Sequence, residues 1–529
     1  MFYNNKTPPA GRQDAVPMDA FGAPYAVAAP VSHNSSVGNV APLKPSVAPT
    51  TGFRDWPFAV LFLANIAAIV VLVVVYGTNP FKSDNDVTST SKVFPISNHD
   101  MKIIVAVCGV LSLIAAVLSF LILQFTVRYA RQMIFVALWA SVFWCFACAI
   151  FAVAKKQYVL AIITALLGLL SVCYAIAVRD RIPFAAANLQ VAGAAIRKHP
   201  SNYLIAFLFL IVQIVWVFVW FAVVVGVTNR MSQDSASNEV AGTTPIGGRC
   251  RLQSDCSTNY CLDGFCQQRN AYAQLKKTSY VAYFFLLVSF FWGVNVFTNI
   301  IHVTVAGTVA TWWYTSESKG ATGASLKRAT TTSLGSICLG SLIVAILQAL
   351  RQLAEEARRQ GDCAACIAEC ILSCLQSLME TFNRWAFVYV GIYGYKFVDA
   401  GKAVMQLFHD RGFDAIINDS LVSTALGFAA FGVGCLCALL ALAYNYIDTA
   451  NQFQYSQYIL PFAGLFFGIG ISLVPLSVVD SAVATIYVCF AEDPAALQQS
   501  HPEHFEALMT EWQRMYPEIM VASGYYVVA

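Results

Sequence analysis

Long runs of apolar residues, separated by short polar segments, form the main pattern of this chain. A helical run of about 20 apolar residues crosses the roughly 30 Å hydrocarbon layer of a bilayer. Apolar and polar residues do not alternate within the runs as they would in a membrane β-barrel, so the runs predict helices. The predicted fold class is all-α: a polytopic integral membrane protein with about ten transmembrane helices. The ten runs are Pro57–Gly77, Ile103–Phe125, Gln132–Ala154, Tyr158–Val178, Tyr203–Val227, Tyr280–Ala310, Ser333–Leu350, Trp385–Ala400, Leu421–Tyr446 and Ile459–Val479.

Two polar tails flank the apolar region. Residues 1–52 are rich in Pro and Ala and hold few large aliphatic side chains, which predicts a disordered cytoplasmic tail. We therefore expect a helical membrane domain over residues 53–494 and a C-terminal tail over residues 495–529. No charged segment leads directly into an apolar run at the N-terminus, so a cleavable signal peptide is not predicted.

Composition agrees with a membrane protein, since 58% of the residues are apolar and only 12% are charged. The net charge of +3 is small and the basic residues are spread over the loops, which argues against nucleic acid as a partner. Ten spans place both termini on one side of the membrane. With the termini inside, the short inner loops carry nine basic residues and the short outer loops five, so both termini are predicted to be cytoplasmic.

Four cysteines cluster in the polar loop over residues 228–277, which this topology places outside. They are Cys250, Cys256, Cys261 and Cys266, with Gly and Asn among the intervening residues. Close cysteines in an oxidising compartment favour two disulfides, with a zinc knuckle as the alternative. Three pairings are open.

A second group of cysteines lies on one face of a predicted helix, at Cys363, Cys366, Cys370 and Cys374. Arginines flank the group, so residues 351–384 are interpreted as a basic, cysteine-rich interfacial helix whose thiols are candidates for acylation, with simple packing as the alternative. If every apolar run crosses the membrane once, this helix lies outside, whereas its composition favours the cytoplasm. The two shortest runs, Ser333–Leu350 and Trp385–Ala400, are the first suspects for a segment that does not span.

No enzyme signature is present: the sequence shows no phosphate-binding loop and no zinc-peptidase helix, and the seven histidines are scattered. We therefore predict no catalytic residues, no metal ligands and no cofactor. Asp480 is interpreted, together with Glu492 and Asp493, as part of a helix end that emerges into water.

Polar residues inside a span are costly in lipid, and they usually face a bundle interior or a solute pathway. The richest run contains Trp292, Asn295, Asn299 and His302 on one helical face, followed by Trp312, Trp313 and Tyr314. Such a stripe could coordinate a small polar solute. The alternative is that the amides and the imidazole form hydrogen bonds between helices, while the aromatic residues form an interfacial belt.

Several segments carry a resemblance to a known family. Asn299–Tyr314 ends in Trp-Trp-Tyr, Gly335–Ile343 contains Gly-Ser-x-x-x-Gly-Ser-Leu, and Phe382–Ala386 leads to Ile392-Tyr393-Gly394. Together with the stretch from Asp480 to Asp493, these segments resemble the choline transporter-like family. The short loop between the first two runs is more similar to the fungal and protist branch of that family.

This resemblance implies an α-helical transporter of choline or a related small organic cation or amine, and energetics allow the membrane potential to drive uptake. Polar groups within a span and aromatic faces, which bind quaternary ammonium groups, make the candidate substrate contacts Trp292, Asn295, Asn299, His302, Trp312, Trp313, Tyr314 and Tyr393. The expected partners are the small cation and the lipid bilayer, and the expected location is the plasma membrane, with an organellar membrane as the alternative. A membrane scaffold or lipid-handling protein without transport and an ion channel are the competing functions.

Overall fold

The computed structural model describes residues 52–76, 98–237, 261–262, 265–266, 279–359, 363–411, 414–447 and 455–515. Almost all of these residues are helical, and ten helices in the described ranges are long and apolar enough to cross a membrane, which confirms the predicted fold class. The helices are α1 (Trp56–Tyr76), α2 (Asn98–Arg128), α3 (Ala130–Ala154), α4 (Tyr158–Ala177), α5 (Ile182–Lys198), α6 (Ser201–Ser237), α7 (Ser279–Tyr314), α8 (Ala321–Thr330), α9 (Leu334–Arg359), α10 (Cys363–Tyr393), α11 (Phe397–Arg411), α12 (Asp414–Ile447), α13 (Ser456–Glu492), α14 (Pro494–Ser500) and α15 (Pro502–Met515).

One predicted span is wrong. The run Trp385–Ala400 is not one helix, because α10 ends at Tyr393 and α11 begins at Phe397. Gly394 between them has φ +64°, a left-handed conformation that glycine adopts without steric cost. The span instead extends backward, since α10 begins at Cys363.

The predicted interfacial helix over residues 351–384 is likewise divided. Its first part is the end of α9, its second part is the beginning of α10, and the two helices pack as an antiparallel hairpin. Polar contacts cross the hairpin: Arg351 donates to Gln376 over 3.3 Å, and Arg358 pairs with Glu369 at 2.5 Å. Cys366, Cys370 and Cys374 are exposed along α10, whereas the side chain of Cys363 lies outside the described part. Acylation of these thiols stays a prediction.

The loop cysteines are described only in part. Cys250 and Cys256 lie outside the described residues. Cys261 and Cys266 face each other in the backbone register of a short antiparallel hairpin, formed by β1 (Cys261–Leu262) and β2 (Phe265–Cys266). Their sulfur atoms are not described, so the two disulfides stay a prediction.

Helices α7, α10 and α13 run in the same direction at the centre of the bundle. The three helices contact one another at two positions along their length. Residue numbers increase from the first position to the second on every helix, which makes the helices parallel. The pairs are His302–Arg384 and Tyr314–Tyr393 between α7 and α10, and Arg384–Asp480 and Tyr389–Glu492 between α10 and α13.

Glycines bring α12 and α13 into close antiparallel contact. Gly464 and Gly468 are four residues apart in α13, the spacing of small residues at which membrane helices commonly meet. A Cβ atom at Gly468 would lie 2.9 Å from the Cα atom of Gly434 in α12. The two backbones therefore touch, and this pair anchors the side of the bundle that presents Asp480.

The helices in two parts of the chain were not predicted. Residues between Arg179 and Pro200 were interpreted as a loop, yet they contain α5, most of whose residues are buried. The predicted C-terminal tail over residues 495–529 is helical as far as Met515, where α14 and α15 pack on the bundle and bury Leu497 and Leu508 completely. The predicted disordered tail over residues 1–52 lies outside the described residues, except for Gly52.

A single carboxylate joins three helices at one end of the bundle. Asp55 lies directly before α1 and has φ +47°. Its Oδ2 atom accepts hydrogen bonds from the hydroxyl of Ser336 in α9, at 2.7 Å, and from the backbone N–H of Phe397, at 2.9 Å. Phe397 is the first residue of α11, so Asp55 holds the break between α10 and α11 against α1 and α9.

Candidate functional site

A group of polar side chains lies deep in the bundle where α7, α10, α12 and α13 meet. We call it the polar network; its members are His302, Arg384, Ser423, Asp480 and Ser481. Arg384 donates to the Asp480 carboxylate over 2.5 Å and to the Asp480 backbone carbonyl over 3.1 Å. The other carboxylate oxygen, Oδ1, accepts from the hydroxyl of Ser423 at 2.7 Å. Asp480 thus holds α10 and α12 against α13.

The interpretation of Asp480 as part of a helix end is wrong. Helix α13 continues twelve residues beyond it, to Glu492, which places Asp480 about 18 Å from that end. The side chains of Asp480 and Arg384 are 21% and 24% exposed, so the pair is only partly enclosed. Charged side chains at such depth are expensive and generally belong to a ligand or ion pathway.

His302 belongs to the polar network through both ring nitrogens. Its Nε2 atom lies 2.9 Å from the backbone carbonyl of Arg384, which only accepts, so Nε2 carries the proton. Its Nδ1 atom lies 2.8 Å from the hydroxyl of Ser481, which donates to the ring when the imidazole is neutral. Both nitrogens are occupied in joining α7 to α10 and α13.

A second cluster lies at the carboxyl ends of α7 and α10, which we call the tyrosine cluster: Tyr314, Tyr389, Tyr393 and Tyr395. The rings of Tyr393 and Tyr395 stack with their centroids 5.3 Å apart, and those of Tyr389 and Tyr393 lie 5.6 Å apart. The hydroxyl of Tyr314 is hydrogen-bonded to Tyr393. This cluster therefore spans α7, α10 and the turn before α11.

The tyrosine cluster is bordered by acid groups. The Tyr389 hydroxyl donates to the carboxylate of Glu492 at the end of α13, and Glu492 itself is exposed. Asp493 follows it and caps α14, accepting from the N–H of Ala496 at 3.2 Å. Tyr389 is 2% exposed, whereas Tyr395 is 39% exposed, so the cluster opens toward the surface through Tyr395.

The predicted stripe on α7 is present on one face, but its side chains are used between helices. Trp292 donates to the Cys338 carbonyl of α9 at 3.0 Å. Asn295 donates to Gln348 and Asn299 donates to Ser341, each at 2.9 Å. These contacts match the alternative of hydrogen bonds between helices, and substrate contact by these residues stays a prediction.

The predicted aromatic residues at the end of α7 divide into two groups. Trp312 and Trp313 are 2% and 0% exposed and pack inward. Trp313 donates to the Asp493 carbonyl at 3.0 Å, and the Trp312 ring lies 4.2 Å from that of His501. Both therefore support the C-terminal helices. Tyr314 and Tyr393, in contrast, lie next to each other at the carboxyl ends of α7 and α10, and substrate contact by both stays a prediction.

Sequence reasoning missed five important residues: Arg384, Ser423, Ser481, Tyr389 and Tyr395. Arg384 was counted with the flanking arginines of the cysteine-rich segment because it precedes the short run at Trp385. The signal that was available is a pair of opposite charges, an arginine next to one apolar run and an aspartate next to another, which together indicate a buried ion pair. Tyr395 had no comparable signal, because its position depends on the turn at Gly394.

Comparison with known proteins adds an independent result. A family model described as plasma-membrane choline transporter matches residues 162–495. The chain is 30% identical to Protein PNS1 of Mycosarcoma maydis over 502 residues, which covers 90% of this chain and 87% of the relative. It is 30% identical to Protein PNS1 of Gibberella zeae over 420 residues, covering 77% and 72%, and 27% identical to Protein PNS1 of Eremothecium gossypii over 494 residues, covering 88% and 82%. The match includes the polar network and the tyrosine cluster.

Proposed function

Because this chain belongs to the plasma-membrane choline transporter family, we propose that it carries choline, or a related small organic cation or amine, across the plasma membrane. The single observation that supports this substrate class is the tyrosine cluster with Glu492 at its border. A trimethylammonium group has no hydrogen-bond donor, so aromatic faces and nearby carboxylates are the groups suited to hold it.

The tyrosine cluster has the chemistry of a release site at the cytoplasmic end of the bundle, because α7 follows the outer loop over residues 228–277 and ends at Tyr314. Neighbouring rings are too close together for a cation to lie between them, so a cation would bind against the exposed face of Tyr395. One good aromatic contact contributes roughly 0.5–2 kcal/mol. Weak binding of this kind suits a site that must also release its ligand.

A route inward follows α10. Tyr393 and Arg384 are nine residues apart in this helix, which places the polar network about 14 Å deeper than the tyrosine cluster. The seam of α7, α10 and α13 thus carries an aromatic site at its cytoplasmic end and a charged site deeper in the bundle. We assign the transport pathway to this seam, with both termini on the cytoplasmic side.

The membrane potential is sufficient as a driving force. A monovalent cation gains about 2.3 kcal/mol on crossing 100 mV, which corresponds to a roughly 50-fold concentration ratio at equilibrium. We therefore propose facilitated uptake without a cofactor and without a chemical reaction.

Uptake by reconstituted protein tests this proposal. Purified protein in liposomes, with an inside-negative potential set by potassium and valinomycin, should take up labelled choline saturably. Tyr395→Ala should raise about fivefold the KM for choline offered at the membrane face that carries the termini, because one aromatic contact of about 1 kcal/mol is lost there. Tyr395→Phe should keep the parental KM, since it retains the aromatic face.

Tyr458→Ala is the matched control, because Tyr458 in α13 is 67% exposed and lies outside the seam. It should transport like the parent. Absence of saturable uptake by folded parent protein would contradict the transport proposal and favour a scaffold or lipid-handling role. Equal KM values for the Tyr395→Ala variant and the parent would contradict the assignment of the tyrosine cluster.

A further inference from the structure

The Asp480–Arg384 pair places a carboxylate and a guanidinium in direct contact inside the helical bundle. Replacing a buried ion pair by apolar side chains of similar size is often neutral or stabilising, so packing alone does not account for it. The neighbouring contacts of α10 are otherwise served by other groups: Asn383 donates to the Gly340 carbonyl at 2.8 Å, and His302 holds the Arg384 carbonyl.

The backbone and the side chain of Arg384 are held by different partners. Its carbonyl is held by His302 of α7, whereas its guanidinium contacts Asp480 through the carboxylate and the carbonyl. The guanidinium could leave Asp480 while the helix stays anchored. Ser423 would remain on Oδ1 and keep the carboxylate oriented.

The carboxylate is also the group that an organic monocation needs at this depth. An uncompensated cation is costly inside a bilayer, and an opposite charge removes most of that cost. Both side chains of the pair are partly exposed, at 21% and 24%, so a small ligand can approach. One carboxylate balances only one positive charge, so the guanidinium and the ligand are alternatives at this site.

We propose that Asp480 is the inner binding site for an organic monocation and that Arg384 is a tethered competitor that occupies this site in the ligand-free state. The inference rests on the proposed function for the identity of the cation. It goes beyond it by naming the residue that carries the counter-charge and the residue that sets the affinity. In this scheme ligand entry displaces the guanidinium, and ligand exit restores the ion pair.

Thermal unfolding in detergent, with and without tetramethylammonium, tests the inference without requiring transport. A ligand that binds only the folded state raises the melting temperature, and the rise grows with the logarithm of the ligand concentration divided by its Kd. Arg384→Gln frees the carboxylate, so tetramethylammonium should bind at least about tenfold more tightly than to the parent. Arg384→Lys keeps a positive charge but loses the planar, two-point contact, so its affinity should lie between those of the parent and the glutamine variant.

The double variant Arg384→Gln, Asp480→Asn is the decisive control, because it removes both charges and leaves no unpaired ion that would prevent folding. It should melt as a folded protein and show no stabilisation by tetramethylammonium. The neutral carbon analogue of choline, 3,3-dimethyl-1-butanol, should stabilise none of the variants.

Equal stabilisation of the parent, Arg384→Gln and the double variant would overturn the inference, as would equal effects of tetramethylammonium and its neutral analogue. Choline uptake by the parent, measured beside these melts, separates the two proposals. Uptake by the parent with a parental KM in the double variant would retain the proposed function and refute the role of Asp480. Charge-dependent stabilisation without choline uptake would retain the cation site and refute choline as its substrate.

Discussion

Replacing Asp55 should destabilise the junction at which α10 ends and α11 begins. Asp55→Ala removes the acceptor for the Ser336 hydroxyl and for the N–H of Phe397. Each hydrogen bond to a charged group contributes about 1.5–3 kcal/mol, and the lower value applies here because the Asp55 side chain is only half-buried. Two such bonds give about 3 kcal/mol.

The backbone adds a further cost. Asp55 has φ +47°, a conformation that Asp and Asn adopt more readily than Ala, which contributes roughly 1 kcal/mol. Asp55→Ala should therefore destabilise the junction by about 4 kcal/mol. Asp55→Asn keeps the backbone preference and one acceptor oxygen, so we expect it to cost about half as much.

Hydrogen exchange of α11 is the appropriate assay, because Phe397 is its first residue and loses its acceptor. Amides in the first turns of α11 should exchange faster in the order parent, Asp55→Asn, Asp55→Ala, while those of α3 stay unchanged. The melting temperature in detergent should fall in the same order. Unchanged exchange in α11 for Asp55→Ala would refute the role of this carboxylate in holding the break.

Three further predictions concern packing and pH. Gly468→Ala should destabilise the α12–α13 contact by about 1–3 kcal/mol in detergent melts, whereas Gly470→Ala should not, because a Cβ atom there meets nothing within 4 Å. Burial, with the positive charge of Lys198, lowers the pKa of His501 from 6.5 to about 4, so its contribution to docking of α15 is complete above pH 6.5 and is lost as the pH falls toward 4. Hydrogen exchange of α15 should thus be faster at pH 5 than at pH 7.5, and His501→Gln should reduce the difference, while His504 in α15, whose pKa burial also lowers, accounts for the remainder. A double-mutant cycle of Asn299→Ala and Ser341→Ala should give a coupling of about 0.6 kcal/mol, and additive effects would contradict their contact.

The spans were predictable because the apolar requirement of a bilayer acts on each helix separately. Helices α1, α3 and α4 begin and end within a few residues of their predicted runs. The break at Gly394 was not predictable from hydropathy, since Tyr393 and Phe397 are apolar enough to continue a span. It depends on the left-handed glycine and on a carboxylate supplied by Asp55, more than 300 residues away in the chain.

The site was predictable only where a residue carried its own signal. Tyr393 and Tyr314 were identified as aromatic candidates for substrate contact, and they lie next to each other in the structure. Asp480 was misplaced because Glu492 and Asp493 suggested that the polar end of α13 began earlier. Its partner comes from another helix, and no pattern within α13 reveals that partner.

The common direction of α7, α10 and α13 has an electrostatic consequence. Each helix carries the equivalent of about half a negative charge at its carboxyl end, because its peptide dipoles align. Three such ends converge on the tyrosine cluster, beside the carboxylates of Glu492 and Asp493. The mouth of the seam is thus a standing region of negative potential that raises the local concentration of monovalent cations and repels anions. Added salt screens this potential, so the rate at which cations arrive should fall as ionic strength rises, even where the affinity of the inner site is unchanged.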